Sequence, residues 1–390
     1  MLKIKKTIFL LLLILGVFLG GFFLGESSVV CEICPPENID FSVFWQVWNV
    51  LEKKFVEPGK LNVQEMIYGA ISGMVKTLGD PYTTFLNPED TKKFKEDIEG
   101  VFEGVGMEIG MKEGELLIIA PLEGTPAQKA GLLPGDKILK IEDTFTKDIT
   151  IDEAVTLIRG PKGTEVTLTI LREDWEKPKE FTIRRGVIEI PSLKWEMKED
   201  DIAYLKLYHF SGKAFSDFKK EAIEILDSPA KKIILDLRNN PGGYLEVAQD
   251  IAGWFLKRGQ IVAIEDFGGD MDKKEYKARG NERLLNYPIV VLINQGSASG
   301  AEILAAALRD NRGVKIIGES SFGKGSVQEL EELREGSSLK VTVANWLTPK
   351  GELITDVGLE PDIKIEMTTE DYEQGRDPQL DKAIEVIKEL

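Results

Sequence analysis

Apolar residues change their spacing several times along this chain. At Phe44, Val47, Trp48, Leu51 and Phe55 they recur at helical intervals, the stripe of an amphipathic helix. Gln64 to Leu78 continues in helical style and breaks at Gly79-Asp80-Pro81. From about Glu99 to Gly186 the pattern shortens into strands punctuated by glycine. Strands are predicted at Glu115 to Ala120, at Ile138 to Ile141 and through Val166, Leu168 and Ile170, and helices from Pro126 and over Ile151 to Ile158. From Ile190 onward strands and helices alternate. The strands are Ile202 to Phe210, Lys232 to Leu237, one near Ile261, the wholly apolar run after Pro288, and Val314 to Ile317; the helices are Ala214 to Leu226, Tyr244 to Leu256 and Ser299 to Asp310. That succession predicts an α/β core with parallel pairing. No internal repeat or low-complexity tract interrupts it.

The start of the chain follows a different rule. Ile8 to Gly25 carries no charge and follows Lys3, Lys5 and Lys6. At that length a helix would span roughly 27 Å, close to the thickness of a hydrocarbon core. A retained single-pass anchor over residues 1–26 is expected, with the basic flank in the cytoplasm and the rest of the chain outside the cell membrane; a cleaved signal peptide is the competing reading. The whole chain has 49 Lys and Arg against 66 Asp and Glu, a net charge of −17. Such a surface repels a phosphate backbone, which argues against nucleic acid as a partner. Cys31 and Cys34 are its only cysteines and His209 its only histidine. One Cys-x-x-Cys pair is half a tetrahedral zinc site, so a disulfide in a linker over residues 27–40 is the simpler reading. His209 shares parity with Leu205 and Leu207 and is expected to be a buried, structural residue. Trp45 and Trp48 fit either an ordinary core or a contact between copies of the chain, so a homo-oligomer stays open.

The glycine-punctuated module resembles a PDZ domain, a β-rich fold with two helices. The resemblance rests on Gly104-Val105-Gly106-Met107, on Gly131-Leu132-Leu133-Pro134-Gly135-Asp136, and on Arg159-Gly160 with Gly163-Thr164. Glycines at the first segment free backbone N–H groups to converge on an anion, such as a peptide's terminal carboxylate. A bound peptide would add as a strand, with Met107, Ile109 and Leu157 as apolar pocket walls. Arg159 matches a family position near the peptide groove.

The chemistry concentrates farther on. Asn294 to Glu302 joins an apolar strand to an Ala/Leu-rich helix through Ser297, Ala298, Ser299 and Gly300. A serine at such a junction sits at the carboxyl edge of the sheet, beside the free N–H groups of a helix N-terminus. Taken alone, either serine would also serve as a simple helix cap. Two familiar patterns fail here. Gly296 to Gly300 has Ala298 where the G-x-S-x-G elbow needs its serine. Gly318 to Lys324 follows the phosphate-loop spacing, but Gly325 replaces the Ser or Thr and an extended segment, not a helix, follows. Lys324 remains in a glycine-flanked turn, and alternation places Ser326 and Gln328 on its side of an extended segment.

With these residues the chain resembles the carboxyl-terminal processing, or tail-specific, proteases. The matching segments are Gly296 to Ser299 with Ala301-Glu302, Gly323-Lys324-Gly325 with Gln328, Asp236-Leu237-Arg238-Asn239-Asn240-Pro241-Gly242-Gly243, Thr348-Pro349-Lys350-Gly351, Gly358 to Ile363, and Asp80-Pro81-Tyr82 with Thr84-Phe85. The resemblance covers about residues 40–367. It implies Ser299 as nucleophile, Lys324 as general base and Gln328 as the residue that positions the lysine. Gly300 and Gly242 or Gly243 would supply backbone donors to an oxyanion. No metal or other cofactor is implied. The implied substrates are proteins or peptides with apolar C-terminal tails, delivered by the PDZ domain. The expected organisation is multidomain α/β: anchor 1–26, linker 27–40, helical region 41–98, PDZ domain 99–186, a protease core 187–367 resembling the Clp/crotonase-like fold, and a C-terminal helix 368–390. The rival readings are an inactive PDZ-containing peptide-binding scaffold and a nucleotide-dependent switch at Gly318 to Lys324.

Overall fold

The computed structural model describes residues 39–390, apart from positions 113, 114, 123, 134, 150, 173, 174, 190 and 270, together with 13–16 and 18. Most of the expected anchor and both cysteines therefore lie outside the described residues. Among the described residues no helix is long and apolar enough to cross a membrane. The chain divides into two compact units, Met1–Ile67 and Tyr68–Leu390.

In the first unit the predicted stripe forms helix α1 (Ser42–Lys54), with Lys53 and Lys54 in its last turn, where cations suit the helix dipole. Asp40 Oδ1 accepts from the Ser42 N–H at 2.8 Å at its start. No residue of α1 is buried. Phe44 and Trp45 meet edge to face at 5.1 Å, and Trp45 and Trp48 do so at 6.2 Å. A second helix, α2 (Val63–Lys76), ends before the predicted break at Gly79.

The second unit begins with a short arm, β1 (Thr84–Leu86), and helix α3 (Pro88–Glu99), capped by the Asn87 side chain. Strands β2 (Val101–Gly104) and β9 (Gly186–Glu189) pair antiparallel, so the chain enters and leaves the glycine-rich module through one two-stranded ribbon. Between them β3 (Met107–Lys112), β4 (Glu115–Pro121), β5 (Lys137–Ile141), β7 (Glu165–Leu171) and β8 (Lys179–Arg184) form a sheet in the order β3-β4-β5-β7-β8, with β6 (Thr144–Phe145) paired to β5. Val166, Leu168 and Ile170 point into the module's core, as their alternation predicts. Helices α4 (Pro126–Lys129) and α5 (Ile151–Ile158) complete it. β3 is an edge strand, and α5 packs against it.

The remaining residues build two sheets. One has the order β10-β11-β12-β15-β16-β19, where β10 (Leu193–Lys198) is antiparallel and β11 (Ile202–Leu207), β12 (Lys232–Asp236), β15 (Ile289–Ile293), β16 (Lys315–Gly318) and β19 (Ile363–Lys364) are parallel. Both faces are covered, which is why β15 reads as a continuous apolar run. Ile233, Leu235, Val291 and Ile293 face the core shared with α6 (Ala214–Asp227), α7 (Leu245–Phe255) and α8 (Gly300–Arg312). Ile234, Val290 and Leu292 face Ala383 and Ile387 of the last helix, α10 (Pro378–Glu389), which follows a short α9 (Thr369–Gln374). The second sheet joins β1, β13 (Ile261–Asp266), β14 (Lys274–Lys277), β17 (Ser326–Glu332) and β18 (Ser338–Leu347) antiparallel.

One expected strand ends early, and the reason bears on the site. The chain leaves β11 after Leu207, three residues before the predicted end at Phe210. The Phe210 N–H donates to Gly242 O and the Tyr244 N–H to Phe210 O, each at 2.8 Å. The strand's last residues thus hold the glycine loop that follows β12. The other side of that loop is fixed by Arg238, whose guanidinium binds Asp236 and, in a two-pronged pair at 2.8 Å each, Asp377 at the start of α10. His209 is buried, as expected, and its ring packs on Gly100.

Candidate active site

Strand β15 ends at Ile293, and after six connecting residues the chain starts α8 at Gly300. Within that turn the two serines separate clearly. Ser297 is fully buried, its Oγ donating to Leu237 O at 2.8 Å and accepting from the Asn294 N–H at 3.0 Å. It ties two loops together. Ser299 is only partly buried and has φ 52° and ψ −114°. A serine held in that sparsely populated region is strained, which is the backbone shape of a nucleophile elbow. The sequence test for an elbow fails on residue identity, yet the conformation is present one position later than the pattern places it.

Gly242 makes the space. With φ +96°, a Cβ there would lie 2.7 Å from Ala298 O and Ser299 Cβ and 2.9 Å from the Gly300 nitrogen. Bare backbone therefore faces Ser299. Asn240, itself fully buried, sets the loop's orientation: its Oδ1 accepts from the Gly242 N–H at 2.9 Å, its Nδ2 donates to Leu207 O at 2.8 Å, and its carbonyl accepts from the Ala298 N–H at 2.9 Å. The Gly242 amide is thus already committed. Of the two glycines expected to donate to an oxyanion, Gly243 is the one whose N–H has no hydrogen-bond acceptor among the described residues, and the same holds for Gly300 in the first turn of α8.

Lys324 reaches the same place through a carboxylate to which the sequence reading gives no role. Glu302, 1% exposed, accepts four hydrogen bonds. Oε2 takes the Ser299 N–H at 2.8 Å and the Lys324 N–H at 3.0 Å, while Oε1 takes Ser321 Oγ at 2.5 Å and the Gly323 N–H at 2.7 Å. Burial pushes the Glu302 carboxyl up, and the four donors oppose that. Because Gly323 and Lys324 give their amides to an internal carboxylate, and β17 follows, this turn does not cradle a phosphate.

The Lys324 ammonium is pushed below the usual lysine range, first by burial and then by the charge of Lys340 on β18; Glu302 acts in the opposite direction. A lysine so placed spends more of its time as a neutral base. Gln328 and Ser326 lie on one side of β17, as alternation predicts, and the Gln328 amide donates to Ser326 Oγ at 2.5 Å, with no hydrogen bond to Lys324 among the described residues; the extra residue of the bulge opposite, Val343, is on β18. Among the described residues no hydrogen bond joins Ser299 Oγ to Lys324 Nζ. The two residues meet through Glu302 and their main chains.

The expected peptide-binding residues stand together in the other module. Val105 and Gly106 form the turn between β2, which ends at Gly104, and the edge strand β3, which starts at Met107. Gly106 has φ +77° and packs on Thr125, whose Oγ1 donates to Gly106 O at 2.8 Å. Met107, Ile109 and Leu157 pack on the module's core from β3 and α5. Arg159, just past α5, pairs with Asp97 of α3 at 2.8 Å and lies over the Phe102 ring at 4.4 Å. Arg185, beside β9, donates to the last carbonyls of α5 at Leu157 and Ile158, where a cation also suits the helix dipole. Both arginines join the end of α5 to the ribbon region.

Comparison with known proteins agrees with this layout. Residues 201–365 match peptidase family S41, residues 117–172 a PDZ domain, and residues 35–90 the N-terminal domain of the activating protease CtpB. The chain is 37% identical to the carboxy-terminal processing protease CtpA of Bacillus subtilis, over 94% of this chain and 78% of that protein. It is 38% identical to the carboxyl-terminal-processing protease of Synechocystis, over 82% of this chain and 76% of that one. Among solved structures, the photosystem II D1 C-terminal processing protease aligns with a TM-score of 0.54 and 25% identity, covering 83% of this chain and 92% of that one.

Proposed function

We propose that this chain, which belongs to the C-terminal processing serine proteases of peptidase family S41 and carries a PDZ domain, cleaves its substrates with Ser299 as nucleophile and Lys324 as general base. The observation that carries the reading is the strained Ser299 at the β15–α8 junction, held to the Lys324 main chain by one buried carboxylate. Ser299 Oγ attacks the scissile carbonyl as its proton passes to Lys324 Nζ, which must swing into hydrogen-bonding reach of Oγ. The oxyanion is bound by the N–H groups of Gly243 and Gly300. Lys324 returns the proton to the leaving amine, and water, deprotonated by the same lysine, releases the acyl group. Gln328 acts on this site through Ser326 at the start of β17.

Substrate selection falls to the PDZ domain. The free edge of β3 offers main-chain donors and acceptors to an extended tail, α5 closes the groove, and Met107, Ile109 and Leu157 favour apolar side chains. Gly104 to Gly106 is the place for the terminal carboxylate. The Arg159 pair with Asp97 links the groove to α3, and so gives tail binding a route to the protease core. Ile8 to Gly25, after three lysines, supports a retained anchor that leaves the catalytic part outside the cytoplasm.

The test is tail dependence. A substrate protein ending in an apolar tail is expected to be cut at least about tenfold faster than the same protein with an amidated or aspartate-terminated tail. In Arg159→Ala the preference is expected to shrink several-fold. Equal rates on all tails would remove the PDZ domain from substrate selection, and an undiminished preference in Arg159→Ala would remove the coupling role.

A further inference from the structure

The arm that precedes α3 approaches the lysine from outside the S41-matching segment. Tyr82 is half-buried, and Lys324 Nζ lies 6.0 Å from the centroid of its ring. The arm is held firmly in that position. Asp80 accepts from the Tyr82 N–H at 2.9 Å and from Thr83 Oγ1 at 2.6 Å, and Thr83 Oγ1 in turn accepts from the Thr342 N–H of β18 at 3.0 Å. Thr84, Phe85 and Leu86 then pair with Lys340, Leu339 and Ser338, and the buried Phe85 packs on Tyr68 at 5.5 Å. We propose that Tyr82 is a positioning residue whose ring shields Lys324 from water, so that the catalytic base is completed by the N-terminal arm.

Shielding works because an ammonium loses more than an amine when water is removed. Burial is the largest influence holding Lys324 below the ordinary lysine range. The other charged or titratable groups around it are Lys340 from β18 and Glu302 from α8, with Asp80 and Asp356 acting on Tyr82. Burial and the nearby carboxylates push the Tyr82 hydroxyl above its usual range, so the ring stays neutral through the working pH. The ring's face would favour a charged lysine, but at this distance the excluded water decides the sign. Admitting water at Tyr82 raises the Lys324 pKa, and the acid limb of kcat/KM, below which the base is protonated, moves up.

The inference rests on Lys324 as the general base, and the experiment keeps the two apart. In the full chain, Tyr82→Phe, Tyr82→Ala and Tyr82→Gln are compared by the pH profile of kcat/KM on a tailed substrate. The ionisation of Lys324 itself is followed separately, through its pH-dependent acylation by a small anhydride, read by peptide mass. Both readouts are expected to move up by about one pH unit in Tyr82→Ala and Tyr82→Gln, an about tenfold lower kcat/KM below the limb, and to stay in place in Tyr82→Phe. An unmoved Lys324 titration in folded Tyr82→Ala or Tyr82→Gln overturns the shield. A moved titration with an unmoved limb supports the shield and overturns Lys324 as the base.

Discussion

Lys324→Met is expected to lower kcat/KM by at least about 10³-fold while leaving the fold intact. General-base assistance is worth about 10²- to 10⁴-fold, and among the described residues nothing else at the site is placed to replace it: Gln328 carries no base, and Glu302 is saturated with four donors. Methionine keeps an apolar stem that fills the half-buried position. The parent should lose activity as pH falls through the depressed Lys324 pKa, because the folded enzyme then binds the proton the reaction needs removed. Steady-state kinetics on a tailed substrate, with circular dichroism as the control for folding, measures both effects. Parent-like turnover in a folded Lys324→Met protein would exclude the lysine as base.

Glu302→Gln is expected to lose about 10²-fold in kcat and to lower the melting temperature by several degrees. A glutamine offers one oxygen and one NH2 group where the carboxylate offers two oxygens. One pair of donors, either Ser299 and Lys324 or Ser321 and Gly323, would then face another donor. Leaving buried donors unsatisfied costs about 1–3 kcal/mol each, and the loss falls on the two segments that carry the proposed dyad. The pH profile separates this from general damage. Glu302 raises the Lys324 pKa, so removing its charge should move the acid limb to lower pH even as kcat falls. An unchanged profile together with unchanged kcat would show that the carboxylate organises neither residue.

Much of the scaffold could be read from local pattern. The apolar run Ile289 to Ile293 is a strand covered on both faces, and the alternation through Val166, Leu168 and Ile170 puts those residues in the PDZ core. The site was legible in its residue types and less so in their relations, which depend on contacts far apart in the chain. Alternation places Lys324, Ser326 and Gln328 on one side, but that the Gln328 amide binds Ser326 Oγ is visible only in the folded strand. Gly242 and Gly243 looked equivalent until the Asn240 side chain engaged one amide. Glu302 sits within three residues of Ser299 and reads as a helix-start acid; only the folded Ser321 to Lys324 turn reveals what it binds. Tyr82 precedes Lys324 by most of the protein's length, and only the arm's contacts with β18 bring it near.

The central claim is that Ser299 is a nucleophile activated by Lys324. Its most direct test is the reaction of the parent, Ser299→Ala and Lys324→Met proteins with a fluorophosphonate, located by peptide mass. The expected result is one adduct on Ser299 in the parent, none in Ser299→Ala, and labelling at least about 10²-fold slower in Lys324→Met. An adduct on another residue, or equally fast labelling without the lysine, would contradict it.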